Sequence, residues 1–280
     1  MYYLGIDSGA TNLRVGIVDE KGSVIAFEKT HSPLRTDADN FGKQVKHITE
    51  NLLKGANLTE SVIEGIGIGV PGPLDLEKGE ILISSNLGNE HPIHLRHQME
   101  SLFNSKIYID RDAYVAIRGE AWVGAGSDSQ NIVMLTLGTG VGGAIMVDGK
   151  LQEGSQSIGG ELGHMYVEMA DPRFQPHELP TCGLSHKGCF EAFIKSAKDT
   201  EELGVYLGFG LANIVDIFNP QKIIIGGGMV KQGDFLPEAI KVMKERGMKP
   251  AVDQVIVQYT QLGDMSGVIG AAKLAMDSSK

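Results

Sequence analysis

Cysteine is scarce in this chain: Cys182 and Cys189 are the only two in 280 residues. Two thiols make no disulfide framework, so metal binding or plain packing are the roles left to them. Apolar runs long enough to cross a bilayer are missing, which argues against membrane insertion. Positive charge is short too. With 25 Lys and Arg against 35 Asp and Glu, the formal net charge is -10, which works against a broad phosphate-binding surface for DNA or RNA. The first residues, Met1-Tyr2-Tyr3-Leu4-Gly5-Ile6-Asp7, have neither the basic stretch nor the apolar core of a leader and run straight into a strand pattern. A mature protein that starts here, in the cytoplasm, is expected.

What the chain does have is an ordinary globular balance, 42% hydrophobic and 21% charged. Its length suits two lobes or one large α/β unit. Its 37 glycines fall mostly in short clusters between apolar runs, which marks tight turns and close backbone approaches.

Two segments share one plan. Tyr3 to Ile6 leads to Asp7-Ser8-Gly9-Ala10-Thr11-Asn12, then Leu13 to Val18, then the turn Asp19-Glu20-Lys21-Gly22. Half a chain later, Ile132 to Leu137 leads to Gly138-Thr139-Gly140, then Val141 to Val147, then Asp148-Gly149-Lys150. Both read as strand, Gly/Thr turn, strand, Asp/Gly turn, strand, so duplicated halves facing each other across a cleft are expected. Two unrelated hairpins would give the same pattern.

Helical periodicity runs from Asn40 to Leu53, from Leu95 to Phe103, from Asp112 to Trp122, from Glu201 to Ile217 and from Phe235 to Arg246. Buried strands are expected at Ile63 to Val70, stopped by Pro71-Gly72-Pro73, at Ile107 to Ile109 and at Lys222 to Ile225,. The alternation predicts α/β layering with mixed sheets. Ala170 to Lys187 has no period and reads as a surface loop.

Both Gly/Thr turns offer backbone N–H groups without bulk, which suits phosphate oxygens, and Asp7 is placed to hold Mg2+ through water. Each turn alone equally serves backbone geometry. Gly226-Gly227-Gly228 follows a buried strand, where a base or ribose can lie flat on backbone, or where a strand simply turns into a helix. Asp112 ends a strand and opens a helix, a position that suits a general base in phosphoryl transfer and also an ordinary N-cap. Gly160-Glu161-Leu162-Gly163-His164 and Glu191 offer a sugar both acceptors and donors. His31, His47, His91, His94 and His97 show no spacing that favours a site.

Together these motifs resemble the ROK family of bacterial sugar kinases and sugar-responsive repressors, over nearly the whole chain. The resemblance rests on Asp7 to Arg14, Gly69-Val70-Pro71-Gly72-Pro73, Ser85-Asn86-Leu87, Leu137 to Gly143 and Gly160 to His164. It continues through Cys182-Gly183, Gly188-Cys189-Phe190-Glu191 and Ile225 to Gly228. It implies a duplicated actin-like ATPase fold of the ribonuclease H-like kind. One lobe would span 1–110, completed by a C-terminal helix at 267–280, and the other 111–266. It also implies ATP and Mg2+ on Asp7, Gly9, Thr11, Asn12, Gly138, Thr139, Gly140, Gly227 and Gly228. A hexose or N-acylhexosamine would lie against Gly72, Asn86, Arg111, Glu161, His164 and Glu191, with Asp112 as base toward the C6 hydroxyl. A homodimer is the family expectation.

Two departures from the family pattern stand out. Arg111 precedes Asp112 where the family commonly has Asn, and the Arg-Asp pair looks like that of D-allose kinases. An arginine only donates and carries a fixed charge, so it does not substitute for an amide. The family's structural zinc segment is also altered: Pro180 stands near the first cysteine position and the spacing from Cys182 to Cys189 is expanded. His164, Cys182 and Cys189 remain as ligands, with His177 or His186 near enough to be the fourth. Zinc bound and zinc absent both fit that pattern. The repressors carry a helix-turn-helix domain ahead of the first turn, and six residues precede Asp7 here, so DNA binding is not expected. The competing expectation is a catalytically weak sugar-binding or regulatory relative.

Overall fold

The computed structural model describes residues 1–82, 87–167 and 179–279. They divide into two compact units, residues 1–127 with 261–280, and residues 128–260.

The first unit begins with β1 (Tyr2–Ser8), β2 (Asn12–Asp19) and β3 (Val24–His31), an antiparallel meander. Then come α1 (Phe41–Gly55), β4 (Ile63–Val70), the short β5 (Leu74–Asp75) and β6 (Glu80–Ile81), α2 (Leu95–Glu100), β7 (Lys106–Arg111) and α3 (Asp112–Val123). The sheet order is β3-β2-β1-β4-β7, with β1, β4 and β7 parallel. The sequence Gly-Ile-Gly-Ile-Gly of β4 explains its interior place between β1 and β7. Alternate residues face opposite sides of a strand, so Ile66 and Ile68 enter the core with Phe41 and Val45 of α1, while the glycines leave the other side flat.

The second unit contains β8 (Ile132–Leu137), β9 (Val141–Val147), β10 (Lys150–Leu151), α4 (Phe190–Ser196), α5 (Thr200–Phe218), β11 (Lys222–Gly226), α6 (Leu236–Arg246), α7 (Lys249–Val252) and β12 (Ile256–Tyr259). Its sheet order, β10-β9-β8-β11-β12, repeats that of the first unit strand for strand, with β8, β11 and β12 parallel. The duplicated plan expected from the two hairpins is therefore present as a duplicated sheet. Leu203, Leu207, Leu211 and Ile214 of α5 pack with Ile223 and Ile225 of β11 in one core. The side chain of Asp199 starts α5 by accepting from Glu202 N at 2.8 Å, and Asn219 ends it in the left-handed region at φ 42°, both standard ways to satisfy orphan helix-end groups.

The last helix, α8 (Ser266–Ser278), returns to the first unit. It lies on the glycine side of β4 so closely that a Cβ on Gly67 would stand 1.8 Å from the carbonyl oxygen of Ala271. Helix α3 meets α8 just as closely, since a Cβ on Gly270 would stand 1.6 Å from Val115 O. That contact places α3 in the first unit, so the chain leaves this unit after Ser127 and re-enters at Gln261, later and earlier respectively than the 110 and 267 read from sequence. Helix α2 is also shorter than its periodicity, because buried Leu95 and Met99 are followed at the same spacing by buried Phe103 in the turn beyond the helix. Residues 170–178 of the expected 170–187 loop lie outside the described residues. Among the described residues, no helix is long and apolar enough to cross a membrane.

Candidate active site

Parallel strands in an open sheet gather functional groups at their carboxyl ends. In the first unit Asp7 of β1 pairs in register with Gly69 of β4, and Gly69 with Asp110 of β7. The turn after β1 is closed by Gly9 N donating to Asn12 O at 2.9 Å, and a Cβ on Gly9 would have nothing within 4 Å, so Gly9, Thr11 and Asn12 sit on an open turn. Asp112 follows β7 as the first residue of α3, and its Oδ1 accepts from Ala113 N at 2.7 Å. Asp112 is thus the first helical residue just past the strand end, while the N-cap position falls on Arg111, which makes no side-chain cap bond.

Burial pushes the carboxyl of Asp7 up to about 6; Arg14 opposes the rise, and the nearby charges of Asp112 and Asp264 add to it. Arg14 Nη1 lies 3.0 Å from Asp7 Oδ2. A Cβ on Gly267 would stand 2.5 Å from Asp7 Cγ, so the start of α8 forms a floor under the carboxylate. Two carboxylates in one another's field, one of them poorly solvated, is a donor set that fits a hard divalent cation such as Mg2+.

Arg111 is buried, with its guanidinium carbon 4.6 Å from the ring centroid of Tyr114, a cation–π arrangement. Gly72 is beside it, since a Cβ there would lie 3.6 Å from Arg111 Nε. The structure therefore brings Gly72, Arg111 and Asp112 together. Asn86 lies outside the described residues.

In the second unit the turn Gly138 to Gly140 is closed by Gly138 N donating to Gly140 O at 2.9 Å, with Thr139 exposed. Glu191, near the start of α4 and 7% exposed, braces this turn. Its Oε2 accepts from Val141 N at 2.8 Å and its Oε1 from Gly183 N at 3.3 Å. A Cβ on Gly140 would stand 2.6 Å from that Oε2. Gly227 adopts φ 93°, and a Cβ there would lie 2.2 Å from Leu137 O, so the loop after β11 runs against the end of β8. Beside this loop a cavity of about 220 Å³ is lined by Lys198, Asp199, Thr200, Leu203, Met229 and Gln232. The sequence reading missed these residues around the start of α5; the signal available for them was Asp199, a capping residue just ahead of a long apolar period. A more open cavity of about 610 Å³ in the first unit is lined by Glu60, Glu64, Lys106 and Ser279. It sits at the starts of β4 and β7, the opposite end from Asp7, and none of the motif residues line it.

His164 ends a 3-10 turn that begins at Leu162, and its Nε2 lies 3.8 Å from Glu161 Oε2. Ligand atoms of His164, Cys182 and His186 all lie within 4.8 Å of one another, slightly wider than the roughly 3.5 Å edge of a filled tetrahedral zinc site. These residues fit zinc. Cys189, expected among the ligands, stands outside this converging group. It is fully buried in a small apolar cluster with Cys182 and Ala192, and burial, with Cys182 adding, pushes its thiol up to about 11. Of the two histidines expected as a further ligand, His186 is the third member of this group, and His177 lies outside the described residues.

The model of the ROK family matches residues 3–198 and 194–278. The chain belongs to the ROK family. Among ROK relatives it is 28% identical over 320 residues to a glucokinase of Halalkalibacterium halodurans, covering 98% of this chain and 94% of that one. It is 26% identical over 318 residues to a xylose repressor of Caldicellulosiruptor bescii, covering 98% of this chain and 77% of the repressor. In structure it resembles a ROK glucokinase of Streptomyces griseus, solved with glucose and AMPPNP, at a TM-score of 0.78 and 24% identity, over 99% of this chain and all 100% of that one. The fold of this ROK chain is therefore the actin-like ATPase fold of the ROK kinases.

Proposed function

We propose that the chain is an ATP-dependent sugar kinase acting on a hexose or N-acylhexosamine, at the C6 hydroxyl. The observation that carries this reading is the pair Asp7 and Asp112, one at the end of β1 and the other just past the end of β7, inside one another's field. Asp112 takes the proton of the attacking hydroxyl, the sugar oxygen bonds to the γ-phosphorus, and the bond to the bridging oxygen breaks to release ADP. Asp7 would hold Mg2+, which supplies charge neutralisation at the phosphates when bound. The open turns at Gly9, Thr11 and Asn12 and at Gly138, Thr139 and Gly140 take phosphate oxygens on backbone N–H groups, and Gly227 and Gly228 lie against the nucleoside.

Gly72, Asn86, Arg111, Glu161, His164 and Glu191 hold the sugar in this reading. Structural zinc on His164, Cys182 and His186, with Cys189 or His177 as a further donor, would fix the imidazole that also meets substrate. A cytoplasmic homodimer belongs to the same reading and is supported by the family resemblance. The function is tested by ADP release with ATP and Mg2+ across allose, glucose, mannose, fructose and N-acetylmannosamine. Release with none of them removes the kinase reading. Elemental analysis of protein purified without chelator should find about one zinc per chain, and a zinc content near zero in fully active protein removes the metal.

A second reading is a catalytically weak sugar-binding or regulatory relative. Buried Arg111 directly before Asp112, an arginine where the family commonly has Asn, favours it. Sugar binding without ADP release is its signature.

A further inference from the structure

One carboxylate in the first unit is used by none of this chemistry. Glu120, in the third turn of α3, is fully buried, an uncommon place for an acid. Its Oε1 accepts from Leu262 N at 3.1 Å and from Ser266 Oγ at 2.7 Å. Its Oε2 accepts from Ala125 N at 2.8 Å and from Gln261 N at 3.3 Å. One buried side chain thus holds both the segment on which the chain leaves the first unit and the segment on which it returns.

The returning segment carries Asp264. Its Oδ1 lies 3.0 Å from Arg14 Nη2 and its Oδ2 lies 3.0 Å from Lys29 Nζ. The other arm of Arg14 reaches Asp7 at 3.0 Å, and the same segment ends at Gly267, the floor under Asp7. The 261–267 segment therefore reaches Asp7 twice, directly at Gly267 and through Arg14.

We propose that Glu120, Asp264 and Arg14 are positioning residues that fix the carboxylate of Asp7, with the 261–267 segment as the piece that joins them. The proposal rests on the kinase reading with Asp7 at the metal-bound phosphates. A guanidinium held at both ends has little freedom left, so it pins the rotamer of Asp7 more firmly than a single contact does. Placement matters because a shift of about 1 Å at a reacting group costs about 100-fold in rate. Glutamine is no substitute at 120, because its amide nitrogen would face a backbone N–H where the carboxylate accepts.

The test compares Glu120→Gln, Asp264→Asn, Arg14→Met and the double variant Arg14→Met with Asp264→Asn. It reads kcat, sugar KM, and calorimetric Kd for a nonhydrolysable ATP analogue with and without Mg2+, alongside thermal melts. Asp264→Asn should lower kcat about 5- to 10-fold and reduce the Mg2+ enhancement of analogue binding by a similar factor, with sugar KM unchanged. Arg14→Met should lose more, and the double variant no more than Arg14→Met alone, since Asp264 acts through Arg14. If Glu120→Gln fails to fold, Asp264→Asn carries the test, its side chain being 36% exposed. Native kcat and native Mg2+ enhancement in Asp264→Asn, or effects that multiply in the double variant, overturn the proposal. A native protein with neither turnover on any sugar nor Mg2+-enhanced binding removes both this proposal and the kinase reading. Mg2+-enhanced binding without turnover removes the kinase reading alone, and the positioning is then decided by the binding arm.

Discussion

Both units bring a hairpin turn to the carboxyl end of a five-stranded sheet of the same strand order, yet the carboxylate behind each turn is held differently. Asp7 in the first unit is raised to about 6 by burial above all, with the Arg14 cation opposing and two other carboxylates adding to the rise. Glu191 in the second pairs with two backbone N–H groups, Val141 and Gly183. Duplication of a fold therefore does not duplicate its electrostatics. An acid balanced between a cation and other acids is set up to respond to a bound charge, whereas an acid that accepts from two backbone donors also fixes the shape of a loop.

That contrast predicts different kinds of damage. The largest effect is expected at Asp112, the base in the proposed reaction: Asp112→Asn keeps size and removes the proton acceptor, so kcat should fall by about 100-fold or more with an unchanged thermal melt. Near-native turnover would take Asp112 out of the mechanism. Glu191→Ala should act on the fold of the second unit as well as on sugar KM, lowering stability by about 2 kcal/mol in chemical denaturation as buried Val141 N loses its acceptor. An unchanged midpoint would show that the brace is not needed.

Arg111→Asn should change the rank order of kcat/KM across the sugar panel, by about 10-fold for the pair of isomers most affected, because leaving a buried polar group unpaired penalises the wrong isomer. The same order in both proteins would place Arg111 outside sugar recognition. The smallest effect is the pH dependence of Asp7. Its folded value, about 6, is above the ordinary carboxylate value, so the folded state binds the proton more tightly and stability falls as pH rises through that window. From pH 5 to 7 this amounts to about 1 kcal/mol. Asp7→Asn should flatten that part of the profile in metal-free protein, and an equal slope in both would argue against a perturbed Asp7.

The local patterns were legible in the sequence because turn chemistry and strand period are local. The Asp7 to Asn12 and Gly138 to Gly140 turns, and Asp112 opening α3, all depend on residues a few positions apart. What was not legible joins distant residues. Glu120 and Ser266 meet across 146 positions, and Arg14 and Asp264 across 250, and nothing in the spacing of either pair announces it. The metal candidates show the same limit, since the group that gathers within 4.8 Å is His164, Cys182 and His186, while Cys189 meets Cys182 alone among them. The domain limit moved because the glycines of α3 and α8 permit a contact that periodicity does not report.

Phosphoryl transfer to a sugar hydroxyl in the presence of ATP and Mg2+ is read without intermediaries by phosphorus NMR of the reaction. The native protein with its best sugar should give ADP and a sugar phosphate in equal amounts, with the ester coupled to the C6 protons. An ATP spectrum unchanged by every sugar of the panel, in protein that still binds sugar, would contradict it.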